Sequence, residues 1–310
     1  MKKGVACILL SAFGFALMAM FVRLADDFGG ALPAVQKAFF RNLVALVIAS
    51  VALVRSRQPF LAGACASAAG WRDLVLRSLF GTLGILCNFH ALSHIPLGDA
   101  MALNKTAPFF TLIMSWFLMG ERMTARQMGL VALAFGGALL VVKPSARIFD
   151  FAACTDVASS IGLLSGFCAG TAYAFLHRLG RRGVNAAFIV FFFSLFSCLA
   201  SVPFIVLDCH PMSMLQVAIL CGAGAGAALG QFGITWAYRF AEPRQIAVYD
   251  YSGIVFAAIL GFFAFGQIPD RLSFVGCVII VAMAAAVSSA ISIIWVSAVC
   301  LDRGDSSSRL

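Results

Sequence analysis

Apolar residues along this chain come in long unbroken blocks, not in the one-sided stripes of a soluble helix. Ten stretches are almost free of charge: 4–22, 34–54, 72–92, 97–118, 124–142, 160–179, 186–207, 215–237, 243–265 and 271–295. A helix needs about 20 predominantly apolar residues to cross the hydrocarbon core of a bilayer. The pattern therefore predicts an all-α polytopic membrane protein of ten transmembrane helices. The connectors are short, the longest being 55–71 and 143–159, which leaves no room for a soluble domain. The first apolar run follows Lys2 and Lys3. It exceeds the roughly 7–15 residues of a signal-peptide core, so it is expected to stay as the first span.

Composition agrees and changes one further reading. Of 310 residues, 62% are hydrophobic and 11% charged, with mean hydropathy +0.99. The net charge of +9 would suggest nucleic acid in a soluble protein. Here it is explained by topology. With the N-terminus inside, 14 basic residues fall on the cytoplasmic side, four outside and four (Lys37, Arg41, Arg77, Lys105) within spans. The positive-inside rule then places both termini in the cytoplasm of a multi-pass cell membrane, a bacterial inner membrane by expectation. No polyanion partner is needed. The ten cysteines form no Cys-x-x-Cys pair and no zinc spacing. Most lie inside apolar segments, where cysteine acts as a small hydrophobe. The polar tail, LDRGDSSSRL, is expected to be disordered, and its RGD is read as chance.

The chain also repeats. LLSAFGFALMAMFV (9–22) is echoed by LLSGFCAGTAYAFL (163–176) at an offset of 154, and residues 83–120 match 229–266 without a gap at an offset of 146. The expected organisation is a first five-helix repeat over 1–145, a second over 156–296, and a short cytoplasmic tail over 297–310. Five is odd, so the copies insert in opposite senses. Inverted repeats are a transporter architecture with the substrate site near the midplane at the repeat interface. Two glycine ladders, Gly162/Gly166/Gly170 and Gly222/Gly226/Gly230, mark close helix contacts.

Candidate chemistry sits where charge should not be. DAMALNKTAPFF (99–110) puts Asn104 and Lys105 seven or eight residues into the fourth span, roughly 10–12 Å deep at about 1.5 Å per residue. The repeat offset aligns them with Asp250 and Tyr251 of the ninth, in AVYDYSGIVF. Pro108 cannot donate to the carbonyl four residues back, that of Asn104, so a free carbonyl is expected there. Lys105 and Asp250 are either a structural ion pair or two groups lining a wet cavity. Intramembrane ionisable residues point to function by default, and a buried pair roughly breaks even for stability. The candidate substrate-binding set is Asn104, Lys105, Tyr249, Asp250, Tyr251, Arg41, Asn88 and Gln231. His90, His94 and Asp99 are candidates for proton coupling, because histidine titrates near physiological pH. His90 and His94 are one turn apart, but no third metal ligand accompanies them.

These residues carry a resemblance. The chain resembles the ten-span EamA-type branch of the drug/metabolite transporter superfamily over roughly 4–290. The most specific piece is ALSHIPLGDAMALNKTAPFFTLIMSWFLMGERMTARQMGLVALAFGGALLVVKP (91–144), with its A-L-x-x-I-P span end, mid-span proline and G-E-R-x-T. Where the family often has Gly-Glu after the ninth span, this chain has Gly266-Gln267. YDYSGIVFAAILGFFAFG (249–266) is also similar to members proposed to move S-adenosylmethionine. The resemblance implies ten helices around a cavity, secondary transport of small metabolites by alternating access, often outward, and no bound cofactor.

The expected function is transport of a small polar organic metabolite, either an amino-acid-like zwitterion or an S-adenosylmethionine-like cation. Other metabolite classes, such as nucleosides or sugars, stay open, as does oligomeric state. The rival is an intramembrane aspartyl enzyme built on Asp99 and Asp250, which needs two facing carboxylates.

Overall fold

The computed structural model describes residues 2–30, 32–56, 67–94, 97–121, 124–142, 157–207, 209–266 and 268–286. The expected tail over 297–310, Gln267 and the last part of the tenth span lie outside the described residues. Among the described residues every regular element is helical.

Among the described residues seven helices run as single pieces: α1 (Lys2–Gly29), α2 (Ala34–Arg55), α3 (Ala68–His94), then, beyond a broken span, α6 (Ala125–Val142), α7 (Val157–Arg181), α8 (Ala186–Leu207) and α9 (Met214–Phe240). The fourth span is two helices, α4 (Leu97–Asn104) and α5 (Ala107–Met119). The ninth is also interrupted: α10 (Pro243–Ile246), a 3-10 turn over Ala247–Tyr251, and α11 (Ser252–Phe265). The described part of the tenth span is α12, Arg271–Ala286. Among the described residues, seven spans are long and apolar enough to cross a membrane: α1, α2, α6, α7, α8, α9 and the broken Pro243–Phe265 unit. With α3, α4–α5 and α12 the elements match the ten spans expected from hydropathy.

Local chemistry sets the ends. Ser213 and Gln216 form a reciprocal capping box at the start of α9, which satisfies two otherwise orphan donors. The Gln216 amide also donates to the carbonyls of Ala25 and Gly30, both at 3.2 Å, so it ties the end of α1 to α9. Both α5 and α11 stop at a left-handed glycine, Gly120 (φ 70°) and Gly266 (φ 64°), a conformation that a side chain disfavours.

The core is made of helix pairs drawn from the two halves of the chain. The helix α1 packs on α9, α3 on α7, and α2 on α8; α5 lies against α7, and α11 against α1. Exchanging each of the first five spans with the span five further on maps every one of these pairs onto another of them, or onto itself. Lipid supplies no hydrophobic force between helices, so close backbone approach has to hold them. At Gly14 an added Cβ would lie 2.6 Å from the Gly230 nitrogen, and at Gly137 2.9 Å from the Gly276 carbonyl. The Ser11 hydroxyl donates to the Gly230 carbonyl at 2.8 Å.

Candidate functional site

Irregular backbone is tolerated at membrane depth only where protein buries it or it lines a cavity. Both breaks meet that condition together. At the first, the Thr106 hydroxyl donates to the Leu103 carbonyl (2.5 Å) and the Thr106 amide donates to the same carbonyl (3.2 Å). Pro108 does not interrupt a running helix. It sits in the first turn of α5, where a missing N–H costs nothing. The carbonyl that gains an outside partner is accordingly Lys105's rather than Asn104's: the Tyr251 hydroxyl of the second break donates to it at 3.1 Å. The Asn104 amide donates to Ser165 Oγ (3.3 Å), which donates in turn to the Gly162 carbonyl (2.6 Å).

The glycine ladder of α7 makes room for this break. A Cβ at Gly166 would lie 2.7 Å from the Leu103 carbonyl, and one at Gly170 2.6 Å from the Ala107 carbonyl. The small residues thus let α7 touch the α4–α5 backbone directly.

Beside the breaks lies a cavity of about 230 Å³. Six of the eight candidate binding residues line it: Arg41, Asn88, Asn104, Lys105, Gln231 and Asp250. They come from five different spans and share no sequence neighbourhood beyond Asn104–Lys105. Lys105 Nζ stands 3.8 Å from Asp250 Oδ2, with the two side chains 23% and 17% exposed. The pair is therefore in contact with the cavity rather than sealed in the packing. Tyr249 and Tyr251 flank Asp250 but are buried at 5% and 0% exposure and are not among the lining residues. The Tyr251 ring packs near Phe135, at 6.3 Å between centroids.

Two of the three proton-coupling candidates, His90 and His94, are placed elsewhere. His90 and His94 are exposed at the end of α3. Their rings stack at 4.1 Å, and His94 Nδ1–H donates to the His90 carbonyl (2.8 Å). Neither lines the cavity. The Asp99 side chain lies outside the described residues. Among the described residues no group of three or more His, Cys, Asp or Glu could hold a metal ion.

Two polar lining residues were not among the candidates read from sequence, Arg77 and Tyr173. Arg77 is 2% exposed. Its Nη2 donates to Gln231 Oε1 at 3.1 Å, and its guanidinium carbon lies 3.8 Å over the Phe193 ring. Its position five residues into the apolar stretch 72–92 was the available signal.

One turn along from Arg77 and from Tyr173, the same two helices carry a paired cluster. Asp73, fully buried, has Arg178 Nε and Arg182 Nη2 at 3.2 and 3.3 Å from its Oδ2. These are ion pairs by distance without hydrogen-bond alignment. His177 Nδ1–H donates to the Tyr238 carbonyl (2.6 Å), and His177 Nε2 meets Glu121 Oε1 at 3.0 Å. A carbonyl only accepts, so Nδ1 is the donor in the first of these contacts.

A multi-pass helical protein with a polar cavity between two broken spans is a membrane transporter in class. The EamA-like transporter family matches residues 2–143. The chain is 32% identical over 289 residues to the pseudopaline exporter CntI of Pseudomonas aeruginosa, covering 93% of this chain and 96% of that one. It is 24% identical over 283 residues to an uncharacterized transporter of Helicobacter pylori, covering 89% and 91%. It is 23% identical over 210 residues to an S-adenosylmethionine uptake transporter of Rickettsia bellii, covering 67% and 69%. A solved crystal structure shares the fold at TM-score 0.74 and 18% identity, covering 94% of this chain and 97% of that one. The chain belongs to the EamA-like transporter family.

Proposed function

We propose that the protein is a secondary transporter that carries a small amphoteric organic metabolite by alternating access. Lys105 and Asp250 are its substrate contacts. The observation that carries the reading is their placement: a cation and a carboxylate 3.8 Å apart, each on the break of a different span, at the wall of one cavity. A zwitterionic solute entering between them sets its carboxylate on Lys105 and its ammonium on Asp250. Charge-assisted hydrogen bonds of this kind are roughly twice as strong as neutral ones. A bound solute separates the pair; without one it closes.

The two halves act as inverted repeats in this reading, with both termini in the cytoplasm. The exchange of packing partners between halves supports it, as does the charge distribution. The name of the Pseudomonas aeruginosa relative, an exporter, supports outward movement. The S-adenosylmethionine relatives share less of the chain, and Tyr249 and Tyr251, whose ring faces could hold a cationic solute, are buried in packing, so an amphoteric solute is favoured over a cation. The transporter names of the family and its relatives support a non-enzymatic role.

The test is accumulation of amino-acid-like solutes in proteoliposomes holding wild type, Lys105→Met or Asp250→Asn, with all three checked for monodispersity in detergent. We expect at least a tenfold loss in each variant. Accumulation equal to wild type in both would remove these residues from the site.

A further inference from the structure

We infer that Arg77 and Arg41 form a second, anion-binding subsite in the same cavity, so that the transported metabolite carries a carboxylate beyond the one that Lys105 takes. The inference rests on the transport reading above and specifies the substrate class.

The observation is a charge imbalance. Arg41, Arg77 and Lys105 line the cavity with one carboxylate, Asp250. Elsewhere this chain pairs its enclosed charges. Lys37 meets Asp26, Arg178 and Arg182 meet Asp73, and His177 and Arg181 meet Glu121. Among the described residues Arg41 and Arg77 have no such partner. Arg77 is 2% exposed and Arg41 8%. Arg77 Nε and Nη1 and Arg41 Nε are buried without any acceptor. An arginine at membrane depth is expensive, and buried charges are ordinarily paired. Two unpaired guanidinium groups on one cavity wall are therefore a site kept open for an anion.

The surroundings hold the fork ready. Gln231 Oε1 takes one N–H of Arg77, and the Phe193 face fixes the plane of the guanidinium, which leaves its other donors for a ligand. Gly81 keeps that side clear: a Cβ there would lie 3.1 Å from Arg77 Nη1 and 2.8 Å from the Phe193 ring. A planar fork of N–H donors matches a carboxylate bidentately, which a lysine does not. The cavity as a whole then suits an amine bearing two or more carboxylates: ammonium on Asp250, one carboxylate on Lys105, another on the arginines.

The experiment uses proteoliposomes of the full chain incubated with a deproteinised small-molecule extract of bacterial cells. Accumulated solutes are identified by mass spectrometry before and after methyl esterification, which counts carboxylates. The expected solute carries at least two, and its monomethyl ester is taken up at least about tenfold less well by wild type, the loss of one charge-assisted contact. Arg77→Gln lowers uptake of the acid and abolishes the preference over the ester; Arg77→Lys restores part of it. Gln231→Glu places an internal counter-ion beside Arg77. It should abolish uptake while keeping or raising the thermal midpoint, a result that misfolding does not produce. Accumulation of a solute with one carboxylate or none, or wild-type uptake by Gln231→Glu, overturns this inference and leaves the transport reading standing. No accumulation of any solute overturns both.

Discussion

The Tyr251 hydroxyl donates to the Lys105 backbone carbonyl at 3.1 Å, so the break in one span is closed by a side chain from the break in another. By the internal repeat the two residues occupy equivalent slots. The contact thus joins the halves of the chain at the level of the cavity, next to the Lys105–Asp250 pair.

Removing that hydroxyl tests its weight. Tyr251→Phe keeps the ring against Phe135 but leaves a part-buried carbonyl without its partner. The cost expected for losing such a bond is about 0.5–1.5 kcal/mol. Thermal unfolding of the detergent-solubilised variant should show a lowered midpoint; an unchanged midpoint means the carbonyl is satisfied some other way.

Lys105 and Asp250 should behave as a unit. Neutralising either is expected to impair transport, and neutralising both should cost less than the two losses added, with a coupling above about 0.5 kcal/mol in a double-mutant cycle. Strict additivity of the two effects on the transport rate would mean that the side chains act separately.

Glycines divide into two kinds with opposite expected signs. Gly166→Val would drive a side chain into the Leu103 carbonyl, displace the α4–α5 break and abolish transport. Gly136 in α6 has nothing within 4 Å of an added Cβ. Gly136→Ala should therefore stabilise by about 0.5–1 kcal/mol, since alanine loses less backbone freedom in a helix. Melting curves of the two variants side by side decide the point.

Asp73 is fully buried between Arg178 and Arg182, which are 22% and 29% exposed. Asp73→Asn removes the shared counter-ion but leaves both arginines able to reach water, so the loss should fall short of the 3–5 kcal/mol seen for sealed pairs, at about 1–3 kcal/mol. Chemical denaturation in mild detergent measures it, and a variant as stable as wild type would show that the cluster contributes no net stability.

Hydropathy alone located the ten spans, because in lipid a helix must satisfy its own backbone and present apolar side chains over about 20 residues. The same logic made Lys105 and Asp250 legible: a charge inside such a block stands out against it, and the internal repeat aligned Asn104–Lys105 with Asp250–Tyr251. Pro108 was legible as a disturbance but not as the start of a new helix, since a proline's effect depends on whether the chain upstream of it is helical. His90 and His94 showed the correct one-turn spacing and still ended on an exposed surface, because spacing along one helix says nothing about what that helix faces.

Covalent order and polarity, then, determined by themselves that this chain is a ten-span helical membrane protein with ionisable groups inside its apolar stretches. Only the tertiary structure decided which of those groups share a cavity. Arg77 comes from α3, Arg41 from α2, Gln231 from α9, Lys105 and Asp250 from two interrupted spans, and their meeting depends on helix rotation and crossing. Those are set by where glycine backbones touch, as at Gly14 against Gly230 and Gly166 against Leu103. Such contacts join residues far apart in the chain, and no local pattern of polar and apolar positions encodes them.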